Sequence, residues 1–238
     1  MTRATALRLI GAAIAFLPAA ALAGGTAVTE SSSAGMNIGG SSMAGGTTRT
    51  EIAWRDPGTV RITPKGQGGY MIARDGSVYS VAQQGGQTMV IDMAAMKGMM
   101  QQMTQGQSGN GPSLGSVDSV QATGRSETVA GIRGKVFNVT TTDFRDTTVT
   151  SEWVLTGDPL VTEMTDAYFG AITSMFGNDG GQMARNWQGG LPAGMHGILR
   201  AGDQFRLVSI SADTPPANQF ELPAAPTDLG AMMKGMGN

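Results

Sequence analysis

The chain has 238 residues, with 36 Gly, 17 Met, one His and no Cys, 14% charged residues and a formal net charge of −2. The absence of cysteine excludes disulfides, thiolate nucleophiles, Cys-ligated zinc and iron–sulfur clusters. His196 alone cannot build a His-rich metal site, and it is the one ordinary proton shuttle near neutral pH.

Residues 1–23 read as a secretory signal: Arg3 and Arg8 give a basic start, Leu9 to Ala21 is an uncharged apolar run, and Ala21-Leu22-Ala23 is a small-x-small cleavage site. The cut is expected before Gly24, which places the mature protein in the periplasm or outside the cell. The apolar run is shorter than the roughly 20 residues that a membrane span needs. No transmembrane span is expected in the mature chain. Losing Arg3 and Arg8 leaves 14 basic against 18 acidic residues, a net charge of −4. Nucleic acid is excluded as a partner, because phosphate binding needs clustered Lys and Arg.

Residues 24–48 are rich in Gly, Ser, Thr and Ala and predict a flexible lead or a weak first strand. Ile52 and Trp54 alternate with polar or small neighbours, and Asp56-Pro57-Gly58 turns the chain into Val60 and Ile62, which reads as strand, turn, strand. Asp75-Gly76 is a two-residue hairpin turn. It sets Arg74 opposite Ser77, Ala73 opposite Val78, Ile72 opposite Tyr79, Met71 opposite Ser80 and Tyr70 opposite Val81. Gly85-Gly86 sets Ala82 opposite Met89 and Val81 opposite Val90 in the same way. One face of this meander carries Tyr70, Ile72, Tyr79, Val81 and Val90; the other carries Met71, Ala73, Val78, Ala82, Met89 and Ile91. Neither face is polar, so both need cover.

Asp92 predicts the N-cap of a helix to about Thr104, on which Met93, Met96, Met100 and Met103 fall within roughly an 80° arc at about 100° per residue. Gln105 to Ser116 is a polar connector. Strands are expected over Val120 to Thr128, Lys135 to Thr142 and Thr147 to Leu155, with Phe137 and Val139 on one face and Val149, Ser151, Trp153 and Leu155 on another. After Gly157-Asp158-Pro159, Met164, Tyr168, Ala171, Ile172, Met175 and Phe176 form the apolar stripe of a helix that Gly177 stops. Strands from Gly197 to Arg200 and from Gln204 to Ser211 flank a turn at Ala201-Gly202-Asp203, and a Pro-rich tail ends the chain. Strands outnumber helices and hairpins dominate, so the fold class is antiparallel α+β.

The order Gly69-Tyr70-Met71-Ile72-Ala73-Arg74-Asp75-Gly76, Val90-Ile91-Asp92-Met93, Thr123-Gly124, Glu127-Thr128-Val129-Ala130-Gly131 and Phe220-Glu221-Leu222-Pro223 resembles a family of secreted bacterial proteins defined as a domain of unknown function. That family is similar in fold to the lipoprotein carriers LolA and LolB. The resemblance covers Thr47 to Pro223 and implies a strongly curved antiparallel sheet, an incomplete β-barrel, with helices packed on its concave side. Relatives often carry a Cys where this chain has Ile132-Arg133-Gly134-Lys135. It implies no catalytic residue. The expected organisation is a signal segment 1–23, a lead 24–48, one domain 49–223 and a tail 224–238.

Met96, Met99, Met100 and Met103, with Met93 and with Met232, Met233 and Met236, have the soft thioethers that suit Cu(I), and Met-Lys-Gly-Met recurs at 96–99 and 233–236. The same stripe fits core or groove packing first, and adaptable contact with an apolar ligand next, ahead of copper. His196 has no elbow motif beside it, and the acids Asp143, Asp146 and Asp158 sit where Asp favours turns. No phosphate-binding glycine loop is present, and Asn138-Val139-Thr140 is a fortuitous sequon in a strand. The leading expectation is a non-enzymatic protein, without a cofactor, that holds a lipid, a lipoprotein acyl chain or a hydrophobic partner segment. Its expected groove is lined by Tyr70, Tyr79, Met89, Met93, Met96, Met100 and Met103; the Cu(I) alternative uses Met96, Met99, Met100 and Met103, and a further alternative is a structural envelope factor with no ligand. Oligomeric state is left open.

Overall fold

The structure, a computed structural model, describes residues 24–33, 36–38, 41–43, 46–95, 116–142, 147–175 and 178–227. The strands are β1 Gly25–Ser33, β2 Met36–Ile38, β3 Ser41–Met43, β4 Gly46–Asp56, β5 Thr59–Pro64, β6 Gly69–Arg74, β7 Ser77–Gln84, β8 Gln87–Asp92, β9 Ser116–Val129, β10 Ile132–Thr142 and β11 Thr148–Thr156, then β12 Gly197–Ala201 and β13 Phe205–Ser211. Between β11 and β12 lie helices α1, Pro159–Ser174, and α2, Asn178–Gly190. A 3₁₀ turn at Ala217–Phe220 follows β13. Eleven strands form one antiparallel sheet in the order β8-β7-β6-β5-β4-β1-β13-β12-β11-β10-β9, and β2 pairs with β3 alone.

Among the described residues β8 and β9 each have a strand neighbour on one side only, so the sheet is an open one. It is also strongly curved. At about 4.8 Å per strand step, β9 and β13 would stand roughly 19 Å apart in a flat sheet. Yet Glu127 of β9 lies 3.7 Å from Arg206 of β13 and 2.7 Å from Arg200 of β12. Register shifts in the β1/β13, β4/β5, β9/β10 and β11/β12 pairings supply the bends.

The Asp75-Gly76 hairpin has the register its sequence predicts, from Arg74 opposite Ser77 to Tyr70 opposite Val81, with both turn residues at positive φ (52° and 76°). The Gly85-Gly86 hairpin does too, with Ala82 opposite Met89.

Of the two readings of 24–48, the structure corrects the flexible lead and bears out the strand. Gly25–Ser33 is the central strand β1, held between β4 and β13, and β4 begins at Gly46, so the folded unit does not start at residue 49. Composition hides this strand because its neighbours leave no room for large side chains. A Cβ on Gly25 would lie 2.5 Å from the Ser211 carbonyl oxygen and 2.7 Å from the Trp54 ring, and Ala27 and Thr29 are buried.

The helix α1 starts where Asp158 Oδ1 accepts hydrogen bonds from the Leu160 and Val161 amides, with Pro159 at its first position. Its stripe of Val161, Met164, Ala167 and Ala171 packs on Ala27, Ile52, Trp54, Val60, Ala73, Val78 and Leu207 of the concave face. Met71 and Met93 border this core. The opposite, convex face of the meander buries Ile72, Val81 and Val90 to 2% exposure or less. The C-terminal segment lies against this side: Arg61 and Arg74 donate to the Gln219 and Phe220 carbonyls, Phe220 is buried, and the Thr227 amide donates to the Val90 carbonyl at 2.7 Å.

Helix α2 departs from the sequence expectation, which placed no helix at 178–190. Four of its 13 residues are glycine, each a weak helix former by up to about 1 kcal/mol, so packing must hold it. A Cβ on Gly180 would collide with the Thr173 carbonyl, and one on Gly190 would stand 2.6 Å from Val117. The glycines let α2 lie directly against α1 and β9.

Candidate functional site

A recess of about 250 Å³ opens between the two helices and the concave ends of β11, β12 and β13. Its walls are Trp153 from β11, Ile198 and Ala201 from β12, Phe205 from β13, Met164, Tyr168 and Phe169 from α1 and Trp187 from α2. Ser31, Thr165 and the exposed Gln204 supply its polar side.

The β10/β11 register creates this wall. Phe137 stands opposite Trp153 and Val139 opposite Ser151, so the two apolar sets that the sequence assigned to separate faces share one face. A register shift between Val154 and Leu155 then brings Ile198 opposite Leu155 and Ala201 opposite Trp153, keeping Ile198 and Ala201 on the same side. Phe137, Val139, Trp153, Leu155 and Ile198 form a second buried cluster, and Phe169 and Trp187 pack over it.

The rings are close. Trp153 and Trp187 stack at 5.6 Å between centroids with an interplanar angle of 25°; Phe169 lies 5.7 Å from Trp187 and 6.1 Å from Tyr168. Such pairs contribute about 0.5–1.5 kcal/mol each beyond area burial. Trp153 Nε1 donates to Ser151 Oγ at 3.0 Å, whereas the buried Trp187 Nε1–H has no hydrogen-bond partner among the described residues. Burial pushes the Tyr168 phenol up, so it stays protonated and neutral. No Asp, Glu, Lys, Arg or His is among the lining residues. The recess therefore suits an uncharged apolar group and offers no acid–base pair.

The predicted groove does not assemble from its described members. Met89 lies on the concave side of β8, and Met93, just past its end, packs against the main core. Tyr70 and Tyr79 lie on the convex side, with the Tyr70 ring 3.7 Å from the Arg61 guanidinium. Strand alternation separates the two pairs across the thickness of the sheet. Asp92 caps a helical start as expected, accepting from the Ala94 and Ala95 amides at 2.8 and 3.4 Å. Met96, Met99, Met100 and Met103, the rest of that predicted helix, the Gln105 to Ser116 connector as far as 115, and Met232, Met233 and Met236 lie outside the described residues. So do the signal segment 1–23, Asp143 and Asp146.

His196 sits in a separate cleft of about 380 Å³ with Glu163 and Asp166. Burial raises the Asp166 pKa, against the opposing effects of His196 and of a hydrogen bond from Gln188. Glu163 accepts from Trp54 Nε1 at 3.4 Å, and the Thr162 hydroxyl is committed to the Asp158 carbonyl, so no activated nucleophile faces His196. Asp158 serves as the α1 cap. Among the described residues no group of three or more His, Asp or Glu could hold a metal, and no helix is long and apolar enough to cross a membrane.

Sequence reasoning missed Phe169, Trp187 and Phe205. Met183, Trp187 and Leu191 recur at i, i+4 and i+8, the helical signal that could have found Trp187 behind the glycines. Compared with family models, with curated proteins and with solved structures, the chain gives no match.

Proposed function

We propose that this chain is an exported, non-enzymatic binding protein that takes the apolar end of a lipid, an acyl chain or a hydrophobic partner segment into the recess between its helices and its curved sheet. The observation that carries this reading is the ring-walled, charge-free recess. Size refines it. An apolar cavity of about 150 Å³ holds a benzene ring, and pockets that enclose drug-sized ligands run from about 300 to 1,000 Å³. At about 250 Å³ the recess suits one chain end or one ring, not a whole diacyl lipid. A charged headgroup would stay in solvent, since no partner charge lines the interior.

Protein purified from a periplasm and examined by native mass spectrometry, followed by lipid extraction, tests the reading. A bound apolar species, or uptake of a short acyl probe by the empty protein, is expected. An empty protein that takes up no acyl probe contradicts it.

One observation favours the Cu(I) alternative as a second reading. The Thr227 amide is bonded to the Val90 carbonyl, two residues before Asp92, so the described residues that precede the two methionine-rich stretches of the sequence lie at the same sheet edge. Cu(I) titration against a competing chelator separates the readings: Met96→Leu/Met99→Leu/Met100→Leu weakens binding if thioethers hold the metal, and equal affinity removes the idea.

A further inference from the structure

We propose that the recess between the helices and β11 to β13 is a slot for one planar aromatic ring that carries a hydroxyl or carbonyl oxygen, in preference to a saturated chain. This rests on the reading that the recess takes an apolar group. One cross-strand row builds the slot. Ser31, Phe205, Ala201 and Trp153 stand directly opposite one another in turn on β1, β13, β12 and β11, and all four line the recess. Residues opposed in this way share one face of a sheet. Ala201 is therefore a small floor between two large rings.

The spacing suits a third ring. Two strand steps of about 4.8 Å separate Phe205 from Trp153 by roughly 10 Å at the backbone, and the curvature of the sheet draws side chains on its concave face closer together. A ring touched on both faces needs about 7–8 Å, twice the usual carbon–carbon contact distance. Trp153 is held by its stack on Trp187, whereas Phe205 belongs to none of the ring pairs in contact among the described residues. The space over Ala201 is thus open between them. Ring faces and edges of opposite partial charge favour another aromatic ring, and a saturated group of equal area gains nothing from them.

The rim supplies the match for an oxygen. The Gln204 main chain is fixed, its amide donating to the Ala201 carbonyl at 3.1 Å and its carbonyl accepting from the Ser32 amide at 3.0 Å. The Gln204 side chain and the Ser31 hydroxyl line the recess and have no hydrogen-bond partner among the described residues. Between them they can donate to an oxygen and accept from a hydroxyl. With no Lys or Arg in the lining, they suit a neutral oxygen and not a carboxylate.

Isothermal titration calorimetry of the full chain tests the proposal with 4-ethylphenol, ethylbenzene, trans-4-ethylcyclohexanol and 1-octanol. 4-Ethylphenol should bind at least about tenfold more tightly than trans-4-ethylcyclohexanol, which has the same skeleton and oxygen without the flat ring. Ser31→Ala/Gln204→Ala should weaken 4-ethylphenol about threefold or more and leave ethylbenzene unchanged. Octanol binding with 4-ethylphenol no tighter than the cyclohexanol would overturn the ring slot and leave the apolar recess standing. Absence of binding by all four probes to the wild type would overturn both. A double variant that loses both ring probes equally, or neither, would overturn the role given to the oxygen. Binding of 4-ethylphenol that survives in Ala201→Phe would place the ring elsewhere and overturn the slot.

Discussion

At Gly134 on β10 an added methyl group would stand 2.6 Å from Val154 Cγ1, 2.8 Å from the Leu155 carbonyl oxygen and 2.9 Å from Leu199 Cδ1. The backbone oxygen cannot yield, so Gly134→Ala should cost about 1–3 kcal/mol, read as a lower urea midpoint at constant slope. The two stacked tryptophans should respond unequally to loss of the indole N–H. Trp153→Phe breaks the bond to Ser151, whereas Trp187→Phe removes a buried donor whose missing partner costs about 1–3 kcal/mol. Trp187→Phe should therefore be the less destabilising of the two in chemical unfolding; the reverse order would mean that the Trp187 donor has a partner in solution. Glu127 supplies the pH dependence. The hydrogen bond from Arg200 is the main cause holding its carboxyl below the usual range; partial burial opposes it, and the charges of Arg200, Arg206 and Arg125 assist. A lowered folded-state pKa stabilises the protein above the unfolded-state value, and that contribution is lost as pH falls through the folded-state value. Glu127→Gln should lower the Tm at pH 7, and the gap should close as the pH is taken down through the carboxylate range.

Among the elements, α2 shows how packing can override propensity. A Cβ at Gly189 meets nothing within 4 Å, whereas one at Gly190 meets Val117. Gly189→Ala should be neutral or stabilising by about half a kcal/mol, discounted from the interior-helix value because it lies in the last turn. Its neighbour Gly190→Ala should destabilise, and thermal unfolding of the pair reads the contrast. The same contrast explains what was legible in the sequence. The β6, β7 and β8 register could be counted residue by residue because Asp75-Gly76 and Gly85-Gly86 fix two-residue turns, and the start of α1 was visible in Asp158-Pro159. β1 was legible only as the weak-strand reading of 24–48, and α2 was not visible, because their small residues reflect how closely Trp54, Thr173 and Val117 approach them, and such contacts join distant parts of the chain.

Across the whole molecule, the antiparallel, strongly curved sheet with helices on its concave side agrees with the sequence expectation. The ring-walled recess lies apart from Tyr70, Tyr79, Met89 and Met93, the described members of the expected groove. The composition pointed to methionines and to the β6–β8 meander, yet α1 packs on the concave side there and Arg61 and Arg74 hold the C-terminal segment on the convex side. The open space lies at the other half of the sheet, where Trp153, Phe169, Trp187 and Phe205 converge from four elements. No local pattern reveals a meeting of that kind, because it depends on the β10/β11 register and on the β11/β12 shift together. The fluorescence of this chain, with 3 Trp, tests the account directly. Titration with a terminally brominated octanol should quench Trp153 and Trp187 saturably, and Ala201→Phe, which fills the recess, should abolish the effect. The Trp153→Phe/Trp187→Phe protein, whose remaining Trp54 is buried in the other core, should show no saturable quenching. Quenching that survives in Ala201→Phe, or that is absent from folded wild type at saturating probe, would contradict the claim that this recess binds an apolar chain.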